Sequence, residues 1–389
     1  MKKNTIPKKP WMSNTVDKAR VIASYFGFEP ASTPVALPPK KDVSPELMER
    51  LAILSHFEKS GLTDEPQPVL IAYERPIKKS PIKKERGHVE IGLEVIGSAD
   101  ASAEGVMFAT TESILKEAGY RSLVLHINSM GDKESTARAE RELSNYVRRN
   151  MNSLSREVRE LAKKDVWSVL SVSDTTQNTE FFDNAPQTLN ALSETSRTQF
   201  TSVIEYVEAS GIPYVMDPRL VLPKEYAMGT IATFYDADST DKKRKPLASI
   251  FRYNHISKTT ELKKEIPALT GILSFKPKWK NTKPLPISKF AKPQLFFVQL
   301  GKEAKIVGIE LLRLLAESHI PVAHGIMRDK ITAQMTQAER LHVPYILLMG
   351  QREAIDRVVV LRNMVTRSQE SIKHSSLVET LRKKLKEGK

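Results

Sequence analysis

One stretch, HVEIGLEVIGSADASAEG at residues 88–105, limits the folds open to this chain more than any other. Side chains alternate along a strand, so Glu90, Gly92, Glu94 and Ile96 share one face, and Leu93 and Val95 point to the other. The apolar face has to be covered, while the opposite face carries two carboxylates in a row. These suit a cationic amine, and equally a structural arginine such as Arg219. The polar turn then leads into AEGVMFATTESILKEAG (103–119), where Ala103, Val106, Met107, Thr110 and Ile114 repeat at helical spacing and Gly119 is a natural stop. RSLVLHIN follows as a strand closed by SMGD. The unit reads as a sheet with a helix on one face and one wall of a small-molecule site on the other.

Composition narrows what such a site can belong to. With 389 residues, 40% of them hydrophobic, the chain can build two or three cores. No run approaches the roughly 18 apolar residues of a membrane helix, and MKKNTIPKKPW does not resemble a signal peptide, so the expected location is cytoplasmic, without a membrane partner. The absence of cysteine excludes disulfides and thiolate zinc sites, and the eight histidines are too scattered to suggest a metal. The net charge of +14 points to a polyanionic partner. Its basic runs lie at 2–9, 78–86, 242–245 and 382–389, giving Lys78, Lys79, Lys83, Lys84, Lys242, Lys243 and Arg244 as RNA-binding candidates, with Arg328 and Lys330 further on.

Read along the chain, residues 1–15 form a disordered basic tail. A helix covers VDKARVIASYFGFEP and a second covers SPELMERLAILSHFEKSG, before PVLIAYER and VEIGLEVIG form paired strands around a lysine-rich loop. Residues 133–166 are charged and helical, 202–211 is a helix entering the strand IPYVMDPRLV, and 237–291 is loop-rich. A Pro/Lys-rich linker at 277–293 separates a domain at 16–276 from one at 294–389. The latter alternates strands and helices as a parallel-dominated α/β unit, with Val307, Leu311, Leu314 and Leu315 facing its sheet.

EIGLEVIGSADASAE, LVLHINSMGD, the tracts FGFEPASTP, ERP and SGIPYVMDPRLV, and the C-terminal α/β unit together resemble the histidyl-tRNA synthetases, class II aminoacyl-tRNA synthetases. The resemblance implies an α+β fold, an antiparallel sheet with flanking helices, plus a C-terminal α/β anticodon-binding-like domain. It implies histidine activation with ATP and Mg²⁺, tRNA as partner, and a homodimer formed through the helix at 16–27 and a strand at Pro34, with Val21, Ile22, Tyr25 and Phe28 in the contact. It also assigns substrate-pocket candidates. Glu94 matches the family's glutamate, Glu90 stands where a glutamine is usual, and Glu46 matches the glutamate of RPEGT beside Ser44, Leu47 and Met48. Glu74, Arg75 and Arg86 match the second class motif, Tyr226 the signature RGLDYY, and Arg252 and Tyr253 the pattern GGRYDG.

The departures are as informative. The motif arginine that binds the ATP α-phosphate matches Ala72, the signature arginine matches Leu222, and TGILSFKPKW lacks the third-motif arginine. Each lost preorganised donor typically costs on the order of 10²–10³ in rate. The chain therefore reads as a tRNA- or RNA-binding paralogue without catalysis. The alternatives are an active histidine–tRNA ligase with unusual motifs, and a histidine-sensing regulatory subunit like that of ATP phosphoribosyltransferase.

Overall fold

The structure is a computed structural model and describes residues 9–75, 87–170, 179–239, 245–279, 283–289 and 292–387. β1 (Thr15–Val16) leads into α1 (Lys18–Ser24), started by the Asp17 carboxylate, which accepts from the Arg20 amide at 3.0 Å. After β2 (Glu29–Pro30), α2 (Pro45–Lys59) opens with the Ser44 hydroxyl accepting from the Leu47 amide at 3.2 Å. It closes just before Gly61, whose φ of 78° suits glycine. β3 (Val69–Glu74) and β4 (Val89–Ile96) pair antiparallel, as expected, with Tyr73 opposite Gly92 and Ile71 opposite Glu94. The lysine-rich loop between them lies outside the described residues, as do Lys242, Lys243 and Arg244.

Then come α3 (Ser102–Glu117), β5 (Leu123–Ser129), α4 (Lys133–Arg149), α5 (Arg156–Lys164), α6 (Thr179–Asp183) and α7 (Glu194–Ser210). β6 (Tyr214–Met216), β7 (Met228–Asp236), β8 (Ala248–Arg252), β9 (Ala268–Phe275) and β10 (Leu285–Pro286) complete this part. Eight strands form one sheet in the order β2-β3-β4-β9-β8-β7-β5-β6, antiparallel except at the edge pairs β2–β3 and β5–β6. β1 pairs with β10 outside it.

Three expectations fail here. Residues 9–15 of the tail expected to be disordered are ordered, with Trp11 and Met12 buried and Met12 bridged to Ala31, because these two apolar side chains join the core beside α2. The stretch 237–291 is not loop-rich but supplies β8 and β9, which lie at the centre of the sheet; short apolar runs between lysine-rich flanks concealed them. The strand expected over IPYVMDPRLV shrinks to β6, because the Asp217 carboxylate accepts from the Arg219 amide at 3.0 Å and turns the chain.

α1, α3 and α7 cover one face of the sheet over Leu93, Val95 and Phe234. The helical spacing of α3 holds, and Ala103, Val106, Met107, Thr110 and Ile114 are fully buried. α2 and α4 cover the other face, around Tyr73, Ile96, Phe251 and Tyr253. The residues expected at a dimer contact belong to these cores: Ile22 and Phe28 are buried, Tyr25 and Val21 pack against them, and no strand forms at Pro34.

β11 (Leu295–Gln299), α8 (Lys302–Glu317), β12 (Val322–His324), α9 (Ile331–Leu341), β13 (Tyr345–Met349), α10 (Gln351–Ile355), β14 (Val358–Asn363), β15 (Gln369–Lys373) and α11 (Leu377–Glu387) form the C-terminal unit. Its sheet runs β12-β11-β13-β14-β15, parallel at the first two pairings and antiparallel at the last two, so it is mixed rather than parallel-dominated. β15, QESIK, buries only Ile372 and carries no apolar pattern to announce it. Leu311 and Leu315 of α8 are fully buried, with Val307 and Leu314 half-buried beside them. α8 also packs on α3 and α7, where Arg313 lies 3.0 Å from Glu112. No helix among the described residues is long and apolar enough to cross a membrane.

Candidate functional site

α2 places a charged residue where a helix of this kind puts its core. Arg50 shares a stripe with Ile53, Leu54 and Phe57, and all four are buried against the sheet. Its guanidinium is wholly buried and donates from Nη1 to Glu94 on β4 at 3.0 Å, and also to the Thr270 hydroxyl on β9. Nη2 lies 3.3 Å from the Glu49 carboxylate. The plane of the group sits over the rings of Tyr253 and Phe251, with centroids at 5.5 and 5.9 Å.

Glu94 is equally buried, and hydroxyls complete its shell. Tyr73 donates to Oε1 at 3.0 Å, Thr270 to Oε1 at 2.8 Å, and Tyr253 to Oε2 at 2.8 Å. The Tyr73 ring can cross to Glu94 only because the neighbour opposite is glycine: a Cβ on Gly92 would lie 2.2 Å from the ring. Burial works against the charge on Arg50, but Glu94 and its neighbours outweigh it and hold the proton on. Burial likewise raises the Tyr73 and Tyr253 phenols well above their usual range, with Glu94 adding to it, so both remain donors. Burial also pushes the Glu94 carboxyl up, against the pull of Arg50 and the three hydroxyls. Both carboxylate oxygens of Glu94 thus accept from groups of the chain itself, Oε1 from three donors and Oε2 from one.

Around this centre the structure sorts the other candidates. Glu90 lies beside Arg75 at 3.3 Å, while Arg75 gives its main, two-pronged contact to Glu49 at 2.7 and 2.8 Å. Tyr226 stacks near Phe251, centroids 5.7 Å apart, and burial, followed by the Glu46 charge, pushes its phenol up to about 12. Glu46 therefore stands on the same side as Glu94. Glu74 is exposed at the end of β3, and Arg86 lies outside the described residues.

Arg252 goes elsewhere. It leaves β8 toward α3, making two bonds of 2.6 Å to Glu104 and further bonds to the carbonyls of Ser98 and Asp100, so it pins the turn before α3. Arg219, weighed as a structural partner for the carboxylates, instead lies over Phe182 at 4.9 Å and donates to the Leu170 carbonyl. The structural arginine is Arg50. Its signal in the sequence is a charged residue at i of an apolar i, i+3, i+4, i+7 stripe.

Residues 294–384 match the family described as Anticodon binding domain. The chain is 26% identical over 322 residues to the histidine–tRNA ligase of Fervidobacterium nodosum, covering 80% of this chain and 73% of the relative. It is 28% identical over 325 residues to that of Halothermothrix orenii, covering 81% and 74%. Over about four fifths of its length the chain is thus similar to histidine–tRNA ligases. Apo histidyl-tRNA synthetase of S. aureus superposes with a TM-score of 0.44 at 23% identity, covering 85% of this chain and 81% of that one.

Set against a histidyl-tRNA synthetase, the positions of the expected arginines are apolar. Ala72 packs with Leu93 and Val95 in the core on the α3 side, the opposite face from Glu94. Leu222 is a half-buried part of the core on the Glu94 side. The tract matching the third class motif is β9, which contributes Thr270 to the Arg50–Glu94 cluster. Arg75, just after β3, is engaged by Glu49 and Glu90. A nucleotide triphosphate needs uncompensated cations, and the described residues here do not fit ATP and Mg²⁺.

Proposed function

We propose that the chain is a non-catalytic, tRNA- or RNA-binding member of the histidyl-tRNA synthetase family, whose substrate-amine position is taken by its own arginine. The observation that carries this reading is the contact of Arg50 with Glu94: a permanent cation, buried with its carboxylate and three hydroxyls, stands where the resemblance places a substrate's charge. Displacing it would strand a charge in the sheet, which costs several kcal/mol. The anticodon-binding family match over 294–384 and the net charge of +14 support RNA as the partner.

The test is histidine-dependent exchange of pyrophosphate into ATP by the purified chain, run beside tRNA binding over a salt series. The expected result is no exchange, with tRNA binding that weakens steeply as salt rises. Exchange at an ordinary synthetase rate would establish an active ligase instead. Histidine binding without exchange and without tRNA binding would favour the sensing subunit. A homodimer is part of the same proposal, and sedimentation at micromolar concentration giving only a 43.8 kDa species would overturn it.

A further inference from the structure

A cleft of about 480 Å³ lies between the two sheets, with β2 and the segment from Glu65 to Leu70 on one wall and β12 and α9 on the other. Its size and its place at a domain interface are those of a ligand site. Pro66, Pro68, Pro321, Leu70 and Leu341 give it rigid apolar walls.

Two polar side chains in its lining lack the partners the fold gives others. Lys9 and Arg340 are each held by Glu65, at 3.0 and 3.2 Å. Arg328 donates to the carbonyls of Pro66 at 3.2 Å and Pro68 at 3.5 Å, and among the described residues no carboxylate pairs with it. It is half-buried, and burial lowers its pKa. A desolvated cation without a counter-charge is costly, and an arriving anion would remove that cost. His324 is 8% exposed and donates Nε2–H to the Phe26 carbonyl at 2.9 Å. Nδ1 is thereby left as a buried acceptor, and it has no partner among the described residues. Gly27, at φ 82°, leaves room for this ring, since a Cβ there would lie 2.9 Å from Nε2.

We propose that this cleft binds a small organic anion with a flat apolar body and a hydrogen-bond donor beside the acid. Its carboxylate or phosphate pairs with Arg328, its donor meets His324 Nδ1, and its body lies between the proline walls. Both domains supply contacts, so the bound anion ties them together. This site is separate from the Arg50–Glu94 cluster and does not depend on the RNA-binding proposal.

The experiment is calorimetric titration of the full chain with 3-hydroxy-2-naphthoate, 3-hydroxy-2-naphthyl phosphate and the neutral 3-hydroxy-2-naphthamide. At least one anion should bind at least roughly tenfold more tightly than the amide, the usual gain from one charge-assisted hydrogen bond. The acid that binds better identifies the head group. Arg328→Gln should bring that anion down to the level of the amide, and Arg328→Lys should recover part of the difference. Equal binding of anions and amide, no binding of either anion, or undiminished binding by folded Arg328→Gln would overturn the proposal. Should Arg328→Gln fail to fold, the comparison of anion with amide on the unaltered chain decides alone.

Discussion

Moving one guanidinium and one carboxylate out of water costs several kcal/mol per ion, and the Arg50–Glu94 pair recovers part of this because Arg50 Nη1 and three hydroxyls satisfy the carboxylate, while Arg50 Nε and Nη2 make no hydrogen bond and Nη2 only lies 3.3 Å from Glu49. Breaking one side should therefore be worse than removing both. Arg50→Met and Glu94→Gln are each expected to destabilise by about 3–5 kcal/mol in denaturant unfolding, and the double substitution by clearly less than their sum. Strict additivity would show the pair to be uncoupled. His324 gives a pH signature of its own. Burial pushes its pKa down to about 4 from 6.5, so below pH 6.5 the unfolded chain binds a proton that the folded chain does not. Stability from this residue is complete above pH 6.5 and is lost as pH falls toward 4, by up to about 3 kcal/mol. In unfolding measured across that window, His324→Gln should flatten the slope; an unchanged slope would assign the acid sensitivity to other groups.

Elements positioned these side chains with differing clarity in the sequence. The cap at Ser44, the stop at Gly61 and the alternation of VEIGLEVI made α2 and β4 legible, and with them the shared face of Glu90, Gly92 and Glu94. The cross-strand partner of Gly92 was not legible, because the loop joining β3 to β4 does not fix register by its length. Tyr73 sits opposite Gly92, and the missing Cβ leaves its ring free to reach Glu94. Gly92→Ala should force the ring off its site and cost about 1–3 kcal/mol, as overpacking does, with the loss read by thermal or denaturant unfolding. Combining it with Tyr73→Phe should add little; a fully additive loss would place the strain elsewhere.

Across the whole molecule, the two sheets meet through α8, and one lysine links three segments. Lys305, 7% exposed at its side chain, lies 2.9 Å from Asp100 and 2.6 Å from Asp329. Asp100 also accepts from the Ser102 amide and so belongs to the turn that Arg252 pins from the other side. Lys305→Met is expected to lower hydrogen-exchange protection of the turn at 98–102 while β11 and β13 keep theirs; unchanged protection of the turn would make the contact incidental. By itself the sequence determined the family resemblance, the strand–turn–helix at 88–119 and the alternating C-terminal unit, since caps, stops and periodicity act within a few residues of each other. Only the tertiary structure decided that β8 and β9 stand at the sheet's centre, that Arg252 turns toward α3, and that Arg50 faces Glu94. Those outcomes depend on which surfaces meet across long separations in the chain, and a strand face or an apolar helix stripe does not name the element that will cover it.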